Sequence, residues 1–217
     1  MTRKKNNQDF SDALGLYLQS VVLIARKISS NLVTSFQNAF TIDEETRAAY
    51  FREKGLEHAR KGRYARAIPL LEPVIDADPD NVEVLMYLGL AYLKTGEGEL
   101  GRDFLEQAHK LDKDNLKIAM VLGTAYVQTE DYEKAIPLLE QVVEEQPDNF
   151  HVTFKLGVAY DNLKQHDKAI EKFLAASELR SDEAKVYRAI GFAYEQKGDH
   201  ESAVTYFKKA NEKGDDE

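Results

Sequence analysis

Five glycines share one spacing. Gly55, Gly89, Gly123, Gly157 and Gly191 follow one another at intervals of 34 residues, in a chain of 217 that holds only twelve glycines. Other columns move with them. Three residues after each glycine stand His58, Tyr92, Tyr126, Tyr160 and Tyr194; twelve after stand Ala67, Gly101, Ala135, Ala169 and Ala203. Sixteen after stand Leu71, Leu105, Leu139, Phe173 and Phe207. A fixed period of this size marks a chain built from supersecondary units that stack on one another. Asp78-Pro79-Asp80-Asn81, Asp112-Lys113-Asp114-Asn115 and Gln146-Pro147-Asp148-Asn149 read as turns closing three repeats, and Arg180-Ser181-Asp182-Glu183 closes a fourth. The units are therefore 48–81, 82–115, 116–149, 150–183 and 184–217.

Within a unit the apolar spacing is helical. Leu116, Ala119, Leu122, Gly123 and Tyr126 recur at i, i+3, i+4 and i+7, and no strand alternation is present. Breaks such as Lys94-Thr95-Gly96 and Lys197-Gly198-Asp199 separate a first helix from a second. Asp and Asn ahead of each first helix are expected N-caps. Pro69 and Pro137 lie near the start of second helices, where a missing N–H costs little, and Pro73 lies deeper and should bend its helix. A glycine inside a helix costs about 1 kcal/mol relative to alanine. Five are tolerable only where a larger side chain would hold two helices apart, and the small residue twelve positions later is the expected opposing contact. Helices of about 14 residues are marginal alone, and one pair cannot bury its apolar face, whereas stacked pairs can. The expected fold is all-α: a right-handed α-solenoid of tandem helix pairs.

Leu-Gly-x-x-Tyr in the first helix, Ala-x-x-x-Phe/Leu in the second, then proline, resemble the tetratricopeptide repeat (TPR) family over residues 48–217. Lys54 and His58 in the first unit, Gly101 and Lys113 in the second and Ser181 in the fourth depart from the family pattern and should loosen packing locally.

The two ends differ from the middle. Residues 1–10 are polar and read as disordered. Residues 11–47 read as an N-terminal helix pair, a degenerate TPR-like repeat with Val21 where glycine should stand and Val33 where alanine should. Three readings fit it: a pair packed on the first true unit, a detachable element that docks on a neighbouring molecule, or a helix lying on a membrane surface. In the last unit Lys208, Asn211 and Lys213 give the outer face of the second helix the polarity a terminal repeat needs.

Composition excludes whole classes. With no Cys, neither a disulfide framework nor a thiol nucleophile is available. A net charge of −9 argues against nucleic acid as a partner. The most apolar segment, Ala13–Ala25, is too short to cross a bilayer, and no secretory signal follows Arg3, Lys4 and Lys5, so a soluble cytoplasmic protein is expected. Gly96-Glu97-Gly98-Glu99-Leu100-Gly101 matches G-x-G-x-x-G, but it follows a helix rather than a strand and carries two carboxylates that would repel phosphate. The five histidines, of which only His166 and His200 share a repeat position, have no second histidine one turn away, so neither a metal nor a cofactor is expected, and no catalytic constellation is present.

One distribution stands apart. In stacked helical pairs the first helices line the concave face, and their outward positions form a groove. Those positions hold Arg52, Arg60, Lys94, Lys117, Lys155, Lys185 and Arg188 against Glu53, Glu83, Asp161 and Glu195, a cationic excess on an acidic chain. Leu56, Met86, Leu90, Met120, Phe154, Val158 and Phe192 join them, with Asn162 and His151. Cations, exposed apolar groups and an amide suit an extended or helical peptide of acidic character. Leu56 replaces the asparagine of TPR domains that clamp a terminal carboxylate, so that mode is not expected.

The resemblance narrows to the magnetosome-associated members of the TPR family on three stretches: Asn31–Phe40 running through Tyr50–Gly55, Asn149–Leu163, and Lys185–Ile190 through Tyr194–Gly198 to Phe207–Glu212. It implies a non-enzymatic scaffold, peripheral on the cytoplasmic side of magnetosome vesicles, that recruits other proteins. It also implies a homo-oligomer formed when the degenerate N-terminal repeat engages another copy's groove. A general TPR adaptor holding one client peptide, chaperone- or secretion-linked, is the alternative.

Overall fold

Ten helices, arranged as five antiparallel pairs, make up the described residues 44–214 of the computed structural model. They are α1 (Glu44–Arg60) with α2 (Tyr64–Ala77), α3 (Val82–Thr95) with α4 (Gly98–Leu111), and α5 (Leu116–Gln128) with α6 (Tyr132–Glu145). The last two pairs are α7 (Phe150–Asn162) with α8 (His166–Leu179) and α9 (Ala184–Lys197) with α10 (His200–Gly214). No strand occurs among the described residues. Helices adjacent in sequence pack on one another, and successive first helices also meet, α3 with α5 and α5 with α7. Stacking in this order is an α-solenoid. The expectations for residues 1–10 and for the helix pair at 11–47 lie outside the described residues, except that α1 begins at Glu44, ahead of the unit boundary at residue 48.

Asn81, Asn115 and Asn149 start first helices as the sequence suggests. Their side-chain oxygens accept from the N–H groups of Val84, of Lys117 and Ile118, and of Val152. Glu183, ahead of α9, makes no such bond. Pro69 and Pro73 both lie inside α2, which continues through them. Pro69 is past the first turn, so its missing N–H removes an intrahelical hydrogen bond.

The core repeats with the sequence. Leu71, Leu105, Leu139 and Phe173, together with Leu88, Leu122, Leu156 and Ile190, are at most 1% exposed, each stabilising by about 1.5–3 kcal/mol on burial. These side chains explain the glycine column. A methyl group added to Gly55, Gly123, Gly157 or Gly191 would lie 2.4–2.7 Å from the side chain sixteen residues later. The small residue at +12 is thus not the nearest neighbour in these four units; the bulky one at +16 is. The second unit differs. A methyl on Gly89 would stand 2.7 Å from the Gly101 carbonyl oxygen, and one on Gly101 would stand 2.6 Å from that of Gly89 and 2.8 Å from Leu93 N. Gly101 therefore tightens its unit rather than loosening it: two backbones touch where others are spaced by an alanine methyl.

A second column appears at the turn between paired helices. Gly62, Gly96, Glu130, Lys164 and Gly198, again 34 residues apart, all have positive φ, from 59 to 98°. A third column joins neighbouring units. The phenol of Tyr126 donates to Glu106 at 2.9 Å, and those of Tyr92 and Tyr160 donate to Glu72 and Glu140. Each bond runs from a first helix to the second helix of the preceding unit. At the fourth junction Leu174 takes the acid's place, and Tyr194 stacks on Tyr206 with centroids 5.5 Å apart. In α10, Lys208, Asn211 and Lys213 are exposed.

Candidate partner-binding groove

The middle first helices share a face because α3 contacts α5 and α5 contacts α7, and the 3.6-residue period returns the same positions to that face in every unit. A cavity of about 470 Å³ opens there between α3, α5, α7 and α9. Its floor is apolar: Leu90, Leu93, Met120, Val121, Phe150 and Phe154. Lys94, Lys155 and Lys185 supply the charge, Thr124, Gln128 and His151 the neutral polarity, and no carboxylate lines it. Phe150 and Phe154 stack at 6.2 Å, and Phe154 leans on the buried Phe173 at 5.4 Å, so the core fixes the aromatic wall.

Seven of the residues expected in the groove meet at this cavity: Leu90, Lys94, Met120, His151, Phe154, Lys155 and Lys185. Met86 and Lys117 line a smaller hollow of about 350 Å³ with Val82, Glu83, Asn115 and Ile118. Arg52, Leu56, Arg60, Asn162, Arg188 and Phe192 line neither. Leu56 is buried at 5% exposure and belongs to the core, as Met86 largely does at 6%. Asn162 turns its amide back to the Val158 carbonyl at 2.9 Å. Phe192 is 57% exposed with one edge on Phe207. Phe150, Val152 and Leu93 line the cavity from positions that spacing alone assigns to the core.

Pairing separates the charges into engaged and free. Arg60 pairs with Glu83 and lies over the Tyr87 ring, Lys117 donates to the Tyr87 hydroxyl at 2.7 Å, and Lys185 pairs with Glu183 at 2.8 Å. Burial pushes the Tyr87 phenol up, but Lys117 and Arg60 together outweigh it and hold the group below its ordinary value. Arg52, Lys94, Lys155 and Arg188 meet no carboxylate among the described residues. The acids of this face are mostly taken: Glu83 by Arg60, Asp161 by His166 at 2.9 Å, and Glu195 by His200 at 2.8 Å. Burial, with Lys94 nearby, pulls the Lys155 ammonium below its usual range. An opposite charge brought beside the half-buried Lys155 would favour its charged form. The glycine-rich run has a structural account: Gly96 caps α3 with φ 98°, and Gly98–Gly101 belong to α4.

Tetratricopeptide repeat models match residues 52–115, 120–184 and 184–212. The magnetosome protein MamA of Magnetospirillum gryphiswaldense is 46% identical over 89 residues, and MamA of Paramagnetospirillum magnetotacticum is 48% identical over 81. The first match covers 41% of this chain, the second 37%, and the chain spans about 40% of the length of these curated relatives. The solved MamA structure from MSR-1 is 50% identical and superposes with a TM-score of 0.75, covering 78% of this chain and 97% of that one. The chain belongs to the tetratricopeptide repeat family and, within it, groups with the MamA proteins.

Proposed function

We propose that the protein is a non-enzymatic scaffold that self-assembles, coats magnetosome vesicles from the cytoplasmic side and recruits partners through its concave groove. The observation that carries the groove's role is the cavity with an apolar floor and three lysines but no carboxylate. Lys94 and Lys155 have no counter-charge of their own, so an acidic segment bearing an apolar side chain completes both halves of the site. The vesicle setting is supported by the similarity to proteins named for the magnetosome. No helix among the described residues is long and apolar enough to cross a membrane, in keeping with peripheral attachment. Self-assembly is read as the N-terminal residues 11–47 of one copy entering the groove of another.

Light scattering on the full-length chain and on a chain starting near Ile42 tests the assembly. The full-length protein is expected to form large particles and the shortened one a monomer; equal monomeric behaviour of the two would count against it. Lys155→Glu and Arg188→Glu should each weaken self-association or partner binding at least tenfold with helicity by circular dichroism unchanged. Arg60→Glu should do less, because Arg60 is already paired with Glu83. Unaltered affinity in both of the first two variants would remove the groove from the reading.

A further inference from the structure

A second cationic surface lies at the turn of the first helix pair. Arg63, Tyr64 and Arg66, with Lys94 and Thr95 at the end of α3, line an open hollow of about 660 Å³ without a carboxylate. Arg63, Arg66 and Lys94 are exposed and have no acidic partner among the described residues. Glu57 is held by Lys54 and Lys61 and Glu83 by Arg60, and Glu97, just past Thr95, does not line the hollow.

The molecule contains its own control. The hollow in the same place between the fourth and fifth units is lined by Lys164, His166, Asp167, Lys168 and Lys197, among others. There Asp167 pairs with Lys197 and His166 with Asp161. Corresponding turns elsewhere also carry acids: Glu97 and Glu99, Asp131 and Glu133, Asp199 and Glu201. Stacking does not require the acid-free pattern, since four other turns of the same shape fold with carboxylates.

We infer that the Arg63–Arg66–Lys94 surface docks on the anionic headgroups of a lipid bilayer, so that this edge of the solenoid faces the vesicle. The inference rests on the vesicle-coating reading and names the surface that reading leaves open. Guanidinium groups engage phosphate bidentately, and an aromatic ring beside them suits the headgroup level. Apart from Tyr64 and Ala65 the hollow lacks the large apolar side chains that floor the concave cavity. Each cation near an anionic leaflet contributes modestly, so a single copy binds weakly. An assembled coat multiplies the contact through effective concentration.

Flotation of full-length protein with vesicles tests this, because assembled protein alone sediments while lipid-bound protein rises. With phosphatidylcholine vesicles containing one quarter phosphatidylglycerol, the floated fraction should exceed that with phosphatidylcholine alone at least fivefold and should fall in 0.5 M salt, as screening requires. The double variant Arg63→Glu, Arg66→Glu should lose at least tenfold in apparent affinity. Lys164→Glu with Lys168→Glu, at the control turn, should change it less than twofold. Lys94 is left intact because it also lines the concave cavity. Equal flotation on uncharged vesicles, or wild-type flotation by the Arg63/Arg66 variant, overturns the inference. Loss of self-association in that variant by light scattering overturns it too, making the patch a protein interface. Should the wild type float through Arg63 and Arg66 without assembling, the scaffold reading falls and this one stands.

Discussion

Glu130 and Lys164 occupy the left-handed position that Gly62, Gly96 and Gly198 fill elsewhere. A residue with a Cβ is strained there by roughly 1 kcal/mol, a cost glycine avoids. Glu130→Gly and Lys164→Gly should each raise the unfolding free energy read from urea titration slightly, by at most about 0.5 kcal/mol net of the unfolded-chain entropy that glycine adds. Gly101 behaves oppositely to what its column suggests. Restoring the alanine of the other units drives a methyl into two backbones, so Gly101→Ala should destabilise by about 1–3 kcal/mol. Gly123→Ala meets only side chains, Leu139 closely and Leu138 at ordinary contact distance, and should cost less in the same unfolding series. At this scale the sequence is legible where a column is unbroken. The mid-helix glycines announce themselves five times; the turn column does not, because two members hide it behind ordinary side chains. What each glycine faces could not be read, since spacing along the chain does not say which residue of the partner helix comes nearest.

The helices themselves are almost wholly legible, because period, caps and turns agree at every repeat. The links between units are less so. Tyr92, Tyr126 and Tyr160 are visible as a column, and Glu72, Glu106 and Glu140 as another, but only the stacking angle brings them together. Burial and the adjacent glutamate raise the pKa of each phenol, so each stays a neutral donor. Tyr126→Phe leaves Glu106 without this donor and should cost about 1 kcal/mol in chemical unfolding. Tyr194→Phe, at the junction where leucine replaces the acid, should stay within about 0.5 kcal/mol. Similar losses at both positions would mean the hydroxyl bonds do not help align the units.

At the largest scale, the groove follows from helix order, which brings α3, α5 and α7 side by side. Its pairing does not follow, because Glu83 is taken by Arg60 of the same face while Asp161 and Glu195 are drawn off by His166 and His200 from second helices. Four cations remain unmatched, and Lys155 is the most enclosed of them. A lysine whose folded pKa lies below its unfolded value opposes folding while both states are charged. That cost fades as pH rises through the lowered value. Lys155→Met should therefore raise the thermal midpoint at neutral pH, with the gain shrinking in alkali, while weakening capture of an acidic partner at least tenfold. Scanning calorimetry across pH checks the first part and fluorescence anisotropy with an acidic peptide the second. A neutral-pH midpoint at or below wild type would show that the amine is already compensated. Toward α1 the trough is tied differently. One phenol, Tyr87, holds Lys117 from the following unit and has the guanidinium of Arg60 from the preceding one 5.7 Å from its centroid. That knot spans three successive units, so a visitor reaching for Lys117 has to untie it and let the arc slacken. A visitor seated at Lys94 and Lys155 finds its cations already at liberty and leaves the curve unchanged.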